Sequence, residues 1–230
     1  VLFRSGGQAC ALQLLETVSG ALTETVGSEN SPFSFLKSSQ YSMDGHNHCR
    51  VQGGETVHAS LLRLHMPFTR SDGDGSLTVF KPRPLGKRFN FRDLVNIQTR
   101  DSLTEVRDFT CSCGDKGTGR EVHTRLAPSD FLIVHVSRFA WETLSVYTRN
   151  GKEHSTGRRV FHNGSIFIPS RPIPAEFFGF LHTNASFQLD SFVRFSGKHD
   201  AGHYEMRANA SNGSGYVCDG HSAESKKSGL

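Results

Sequence analysis

The stretch Phe131-Leu132-Ile133-Val134-His135-Val136-Ser137-Arg138-Phe139 decides the fold class. It is β-branched and aromatic, follows Pro128, and is long enough for one buried strand. His135 within it reads as a sheet-face or interior histidine with its hydrogen bonds satisfied. Trp141, just beyond, reads as a cap on the sheet edge. Downstream, Val160-Phe161 and Ile166–Ile168 read as further strands, with Asn163-Gly164 as a type I′ turn between them. Phe187–Phe195 alternates apolar and polar residues, and Gly197–Gly202 breaks the pattern. His203–Arg207 then begins a strand and Gly215–Asp219 forms a last short one. Residues 221–230 are polar and read as a disordered tail.

Upstream of Phe131 the pattern changes. Residues 8–23 read as a helix, because Leu12, Leu15, Val18 and Leu22 recur at spacings of three and four and make one apolar face. Ser31–Leu36 is a short apolar patch. Residues 56–68 are strand-like. Residues 70–88 hold Asp72-Gly73-Asp74-Gly75, Pro82 and Pro84, and read as a loop or linker. Phe91–Val95 reads as a short helix, 105–111 as a strand and Asp115–Gly119 as a tight turn. A helical start followed by a β-rich remainder makes the chain α+β.

Bulk properties narrow the function. The chain has 230 residues, 36% of them hydrophobic and 18 of them Phe, so one large core is within reach. The net charge of +4 is small. Lys81, Arg83, Lys87, Arg88 and Arg92 form a local basic cluster able to meet acidic partners or phosphates, or a solvated loop. No Gly-rich phosphate loop and no basic run interleaved with aromatics occurs, so a nucleic-acid partner is not expected. No apolar stretch reaches the length of a membrane-spanning helix. Cys111 and Cys113 lie too close for an ordinary disulfide framework. A reducing compartment, cytoplasm or nucleus, is expected. The glycosylation patterns at Asn163, Asn184 and Asn212 would be idle there.

Two constellations carry chemistry. Gly202-His203-Tyr204, with Asp219 sixteen residues after His203, has the shape of the second half of a hydrolase triad. A histidine acts as general base when a third group fixes its tautomer and orientation. The other constellation is His46-x-x-Cys49 with Cys111-x-Cys113. Two such knuckles supply four ligands to one tetrahedral zinc, a structural site with no position open to water. Gly114 after Cys113 suits a knuckle, and His48 is an alternative to His46. A β-ribbon that packs without metal remains the other reading of these four residues.

The chain resembles the ubiquitin-specific proteases, papain-like cysteine deubiquitinases. Leu126-Ala127-Pro128, Phe131–Val136 and Arg138-Phe139 resemble the family's Leu-Pro, hydrophobic strand and Lys-Arg-Phe segment. Phe187–Val193, Ser196-Gly197 and Gly202-His203-Tyr204 resemble its histidine box. Val217-Cys218-Asp219 occupies the place of its short strand ending in Asp or Asn. The family's tryptophan is absent there, with Gly215 or Tyr216 in its place, and Gly220 replaces a second acidic residue. The His46/Cys49 and Cys111/Cys113 pairs resemble the two Cys-x-x-Cys pairs of the family's fingers.

The resemblance implies a helical thumb remnant over about 1–36, β-ribbon fingers over about 40–125 and a β-rich palm over about 55–70 and 126–220. It also implies a ubiquitin-like substrate whose Gly-Gly terminus reaches His203. The reaction would be thiol-mediated isopeptide hydrolysis, with His203 as base and Asp219 orienting it. Two readings of Cys10 stand. Gly6-Gly7-Gln8-Ala9-Cys10 resembles a decayed catalytic cysteine box, with Ser5 at its oxyanion position. Alternatively Gln8–Leu15 resembles a later helix of the family, Cys10 is inert, and the catalytic box is expected upstream of Val1. The second is preferred, because too few residues separate Cys10 from Cys49 to build a thumb. Other expectations are a catalytically inactive ubiquitin-binding or scaffold module, and a zinc-stabilised β domain without a ubiquitin link. Phe177, Phe178 and Phe180 read as core packing in preference to a surface for an extended tail.

Overall fold

A computed structural model describes residues 11–43, 45–46, 49, 52–72, 78–101, 104–147, 153–169, 171–197, 202–209, 215–218 and 223–226. Helix α1 (Ala11–Val26) leads to strands β1 (Phe35–Met43), β2 (Gln52–Ala59), β3 (Leu62–His65), β4 (Phe68–Asp72) and β5 (Thr78–Pro82). Helix α2 (Phe91–Asp101) follows, then β6 (Thr104–Thr110), β7 (Lys116–Ala127), β8 (Val134–Ser137), β9 (Phe139–Tyr147) and β10 (Glu153–Phe161). The chain continues through β11 (Ile173–Pro174), a 3₁₀ turn at Ala175–Phe178, and β12 (Ser186–Phe187). It ends with β13 (Ser191–Gly197), β14 (Gly202–Asn209), β15 (Gly215–Cys218) and β16 (Ala223–Lys226). The class is α+β, as the sequence indicates, and no described helix is long and apolar enough to cross a membrane.

Two four-stranded antiparallel sheets dominate. One has the order β2-β1-β7-β6, the other β13-β14-β15-β16. The remaining pairs include the parallel β3/β8 and the antiparallel β4/β5, β9/β10 and β11/β12. In β3, Leu62 and Leu64 alternate with Arg63 and His65, so one face enters the core and the other turns outward. Leu62 pairs with Val134 and Leu64 with Val136, and helix α2 covers the apolar side with Phe91, Leu94 and Val95. Their spacing of three and four residues gives α2 a single buried stripe. Its start is fixed by a reciprocal cap: the Asp93 N–H donates to Asn90 Oδ1 at 3.2 Å, and the Asn90 N–H to Asp93 Oδ2 at 2.8 Å.

The core closes around phenylalanines. Phe180 is 1% exposed, with Phe35 5.5 Å away edge-on and Phe187 at 6.2 Å. Phe178 packs at 5.1 Å against Phe91 with the rings tilted by 40°. Phe178 and Phe180 are therefore core, as expected, and Phe177 is half-buried. Each fully buried ring contributes about 1.5–3 kcal/mol.

Several local expectations are corrected. Residues 56–68 are divided among β2, β3 and β4, and 70–88 contain the β4/β5 hairpin instead of a loop throughout. The long strand at Phe131–Phe139 reduces to Val134–Ser137 before β9, and Phe131 is 59% exposed against Phe33. Ile166–Ile168 pair with no strand among the described residues, and the Phe167 N–H goes to the Phe89 carbonyl. The Asn163-Gly164 turn does not form with positive φ: the Gly164 N–H donates to His162 Nδ1 and Arg138 donates to the Gly164 carbonyl. The turn expected at Asp115–Gly119 falls at Cys111–Asp115. Trp141 lies within β9 of the two-stranded β9/β10 sheet and is 51% exposed. Part of the expected disordered tail forms β16, an edge strand whose polar composition resembles a tail. His135 does lie on a sheet face, yet its Nδ1 is buried without a hydrogen bond, and burial lowers its pKa. Helix α1 leaves Leu15 and Val18 exposed and buries Ser19 instead.

Candidate metal centre

The ribbon β2-β1-β7-β6 brings four sulfur and nitrogen donors to one end. Strand β1 ends at Met43, which pairs with Gly119 near the start of β7. Strand β6 ends at Thr110, and Cys111–Asp115 is the turn that joins it to β7. His46 and Cys49 therefore emerge from β1 beside the turn carrying Cys111 and Cys113. Both knuckles are tight. The His46 N–H bonds the Met43 carbonyl at 3.2 Å, and the Cys49 N–H bonds the His46 carbonyl at 2.8 Å. Across the turn, the Cys111 N–H bonds the Asp115 carbonyl at 2.8 Å and the Gly114 N–H bonds the Cys111 carbonyl at 2.9 Å. Gly114 has φ +97°, a conformation that a side chain would strain.

The donor atoms of His46, Cys49, Cys111 and Cys113 all lie within 4.8 Å of one another. His46 Nδ1 is 3.3 Å from Cys113 Sγ and 3.6 Å from Cys49 Sγ. Bond lengths of ~2.0 Å to nitrogen and ~2.3 Å to sulfur place tetrahedral zinc ligands roughly 3.5–3.8 Å apart, so the cluster is close to that size. Three thiols and an imidazole are a closed structural donor set for a borderline-soft divalent cation such as zinc. The three cysteines form no disulfide. His46 Nδ1 is the donor facing the sulfurs, while Nε2 lies 3.9 Å from Asp115 Oδ2. A carboxylate on that side favours an Nε2–H tautomer, which presents the Nδ1 lone pair to the sulfur cluster.

The electrostatics of the cluster suit a cation. Burial, then the neighbouring sulfurs of Cys111 and Cys113, push the Cys49 thiol up to about 12. The backbone N–H of Cys113, helped by donors from Cys49, Cys113 and Ser112, brings Cys111 down to about 7. A thiolate is thus favoured on Cys111, while burial and the neighbouring sulfurs make Cys49 resist ionisation. A divalent cation removes that conflict.

The other expected site residues are less defined. His203 lies in β14, opposite Ser196 of β13, and the adjacent β15 pairs Cys218 with Met206. The side chain of His203 lies outside the described residues, as do Asp219, Cys10 and His48. Sequence reasoning missed one polar anchor. Glu142, 1% exposed, accepts the Phe80 N–H at 2.9 Å and Arg158 Nη2 at 2.7 Å, tying β5, β9 and β10 together. Those donors, the Phe80 N–H first, hold its carboxyl below the usual range. Its place on the same face of β9 as Ala140 was the available signal.

No protein-family model and no curated protein matches the sequence. Solved structures do match. A SAGA DUB module of Ubp8, Sgf11, Sus1 and Sgf73 bound to monoubiquitin matches at TM-score 0.60 and 11% identity, over 95% of this chain and 45% of that one. The module bound to ubiquitin aldehyde matches at TM-score 0.60 and 11% identity, over 95% and 46%. A yeast module with an Sgf73 variant matches at TM-score 0.53 and 12% identity, over 84% and 37%. The chain spans less than half the length of the chains it matches. The likeness is one of fold: the architecture is of the ubiquitin-specific protease type.

Proposed function

We propose that this chain is the fingers and palm of a thiol-dependent deubiquitinase, holding a ubiquitin-like protein and supplying the histidine of the reaction. The observation that carries the reading is the fold match over 95% of the chain to modules solved with monoubiquitin and with ubiquitin aldehyde. The four-donor cluster at the ribbon tip supports the fingers assignment, with zinc bound structurally by His46, Cys49, Cys111 and Cys113. Zinc there stiffens the ribbon that grips the ubiquitin surface.

In this reading His203 takes the proton from a cysteine thiol, and the thiolate attacks the isopeptide carbonyl at the ubiquitin C-terminus. His203 later returns a proton to the departing lysine amine, while Asp219 fixes its tautomer. Gly202 and Gly197, which pair across β13 and β14, leave room for a Gly-Gly tail beside the histidine. Cys10 is the helix cysteine of the preferred sequence reading, and the nucleophile is a different residue. A second reading, a ubiquitin-binding module without turnover, is favoured by Gly215 and Tyr216 standing where the family has tryptophan beside its acidic residue.

The test is twofold. Ubiquitin titrated onto the protein gives saturable binding that weakens on metal removal. A ubiquitin C-terminal electrophile then discriminates. Labelling retained in Cys10→Ala and lost in His203→Ala supports a separate nucleophile, and labelling lost in Cys10→Ala overturns its placement. Binding without labelling assigns the inactive module, and no binding ends the ubiquitin reading.

A further inference from the structure

A small apolar cavity opens where the start of α2 meets the segment before β11. Its volume is about 150 Å³, and its lining includes Phe91, Phe167, Pro169, Arg171, Ile173 and Phe177. Phe167 is 52% exposed at its mouth. The Phe167 N–H donates to the Phe89 carbonyl at 2.6 Å, which pins that wall to the chain leading into α2. The opposite wall is fixed by Ile173, 4% exposed and paired with Phe187. Both walls are thus anchored by backbone pairing. Its size decides the class of occupant. Cofactors and drug-sized molecules occupy ~300–1,000 Å³, whereas a cavity of ~150 Å³ accepts something near a benzene ring. It fits one side chain.

The rim is mainly basic, with Glu176 the acidic side chain beside it. Arg171 belongs to the lining and has no carboxylate partner among the described residues. Arg92 lies over the Phe177 ring at 5.3 Å and reaches Glu176 only at 3.9 Å, with both side chains more than half exposed. Lys87 and Arg88, exposed, precede Asn90 at the same edge. An exposed pair at 3.9 Å neutralises little. A single apolar side chain flanked by carboxylates matches this surface in both shape and sign.

We propose that this cavity docks a short acidic peptide segment through one aromatic or leucine anchor, with Arg171 and Arg92 meeting the flanking carboxylates. The site uses none of the four metal ligands and not His203, so it stands or falls independently of the ubiquitin reading. It also gives a role to part of the basic cluster between Lys81 and Arg92.

A fluorescein-labelled peptide, Glu-Asp-Phe-Asp-Glu, tests this by anisotropy on the intact chain. Binding should weaken about tenfold in Arg171→Glu and in Phe167→Ser, and equally when the peptide's Phe becomes Ser. It should weaken again when salt rises from about 50 to about 500 mM. Arg159→Glu, on β10, should bind as the parent does. Circular dichroism checks that the exposed-site variants keep the fold. No binding, or binding indifferent to Arg171→Glu, overturns the proposal. Binding that ignores loss of the Phe anchor reduces the site to diffuse charge and also overturns it. Self-association of the free chain abolished by Phe167→Ser would assign the cavity to a second copy instead.

Discussion

His46 Nδ1 and Cys113 Sγ lie 3.3 Å apart although 67 positions separate them in sequence. Strand pairing alone brings them together: the β1/β7 register ends at Met43 and Gly119, and both knuckles hang from that end. A contact made by a whole ribbon has a stoichiometric consequence. The purified chain should bind one zinc. Cys111→Ser should weaken it roughly 100-fold, the share of one ligand in a site worth about 10–16 kcal/mol. Competition with a chromophoric chelator reads both values. Retention of parental affinity in Cys111→Ser would exclude that ligand.

Proton release should accompany that binding. Without metal, Cys49 is held protonated, its pKa raised to about 12 by burial and by the adjacent sulfurs. Zinc requires thiolates, so protons leave on binding and affinity rises with pH. Cys111, already near 7, contributes little release above that pH. Between pH 6 and 8 the affinity should therefore climb with a slope of at least one proton. Calorimetry in buffers of differing ionisation enthalpy counts the protons, and a flat profile would refute the thiol ligation.

Glu142 gives a second pH signature, in stability. Its folded-state pKa is depressed by the Phe80 N–H and by Arg158. A depressed carboxylate stabilises the fold above its unfolded pKa, and that contribution is lost as pH falls through the lower folded value. Glu142→Gln should cost about 1–3 kcal/mol at pH 7. The gap from the parent should shrink as both proteins are taken below pH ~4. Arg158 is 64% exposed and keeps its hydration, which limits the loss. Urea denaturation at the two pH values is the measurement.

The sequence made some of this legible because the signals were local. His46-x-x-Cys49 and Cys111-x-Cys113 are marked by spacing within one turn, and the structure gathers all four residues. Val134-His135-Val136 is β-branched and does form a strand. What stayed hidden was set by distant partners. Pro82 suggested a loop, yet it sits at the end of β5 opposite Phe68, where a missing N–H costs little. Ile166–Ile168 has strand composition, but its neighbour is the Phe89 backbone and no ladder forms. The apolar stripe of α1 suggested burial, whereas Val18 is 53% exposed. Composition reports which residues tolerate an element, while pairing is decided by what else arrives there.

The ribbon and the core meet at Phe35, and this separates two kinds of damage. Phe35 opens β1 and packs edge-on against Phe180 at 5.5 Å. The metal ligands follow the other end of the same strand. Nine residues rise from Phe35 to Met43. At about 3.3 Å per residue, the tip stands roughly 26 Å from that ring pair. Phe180→Ala should cost about 3–5 kcal/mol of global stability, through lost burial and the cavity left behind. Zinc affinity measured on its folded fraction should stay within about twofold of the parent, since distant sites are nearly additive. Cys111→Ser should do the reverse, loosening amide protection at Met43 and Gly119 while sparing Leu64 and Leu94. Hydrogen exchange resolves the two regions, and equal loss of protection in both would show that core and tip unfold as one unit.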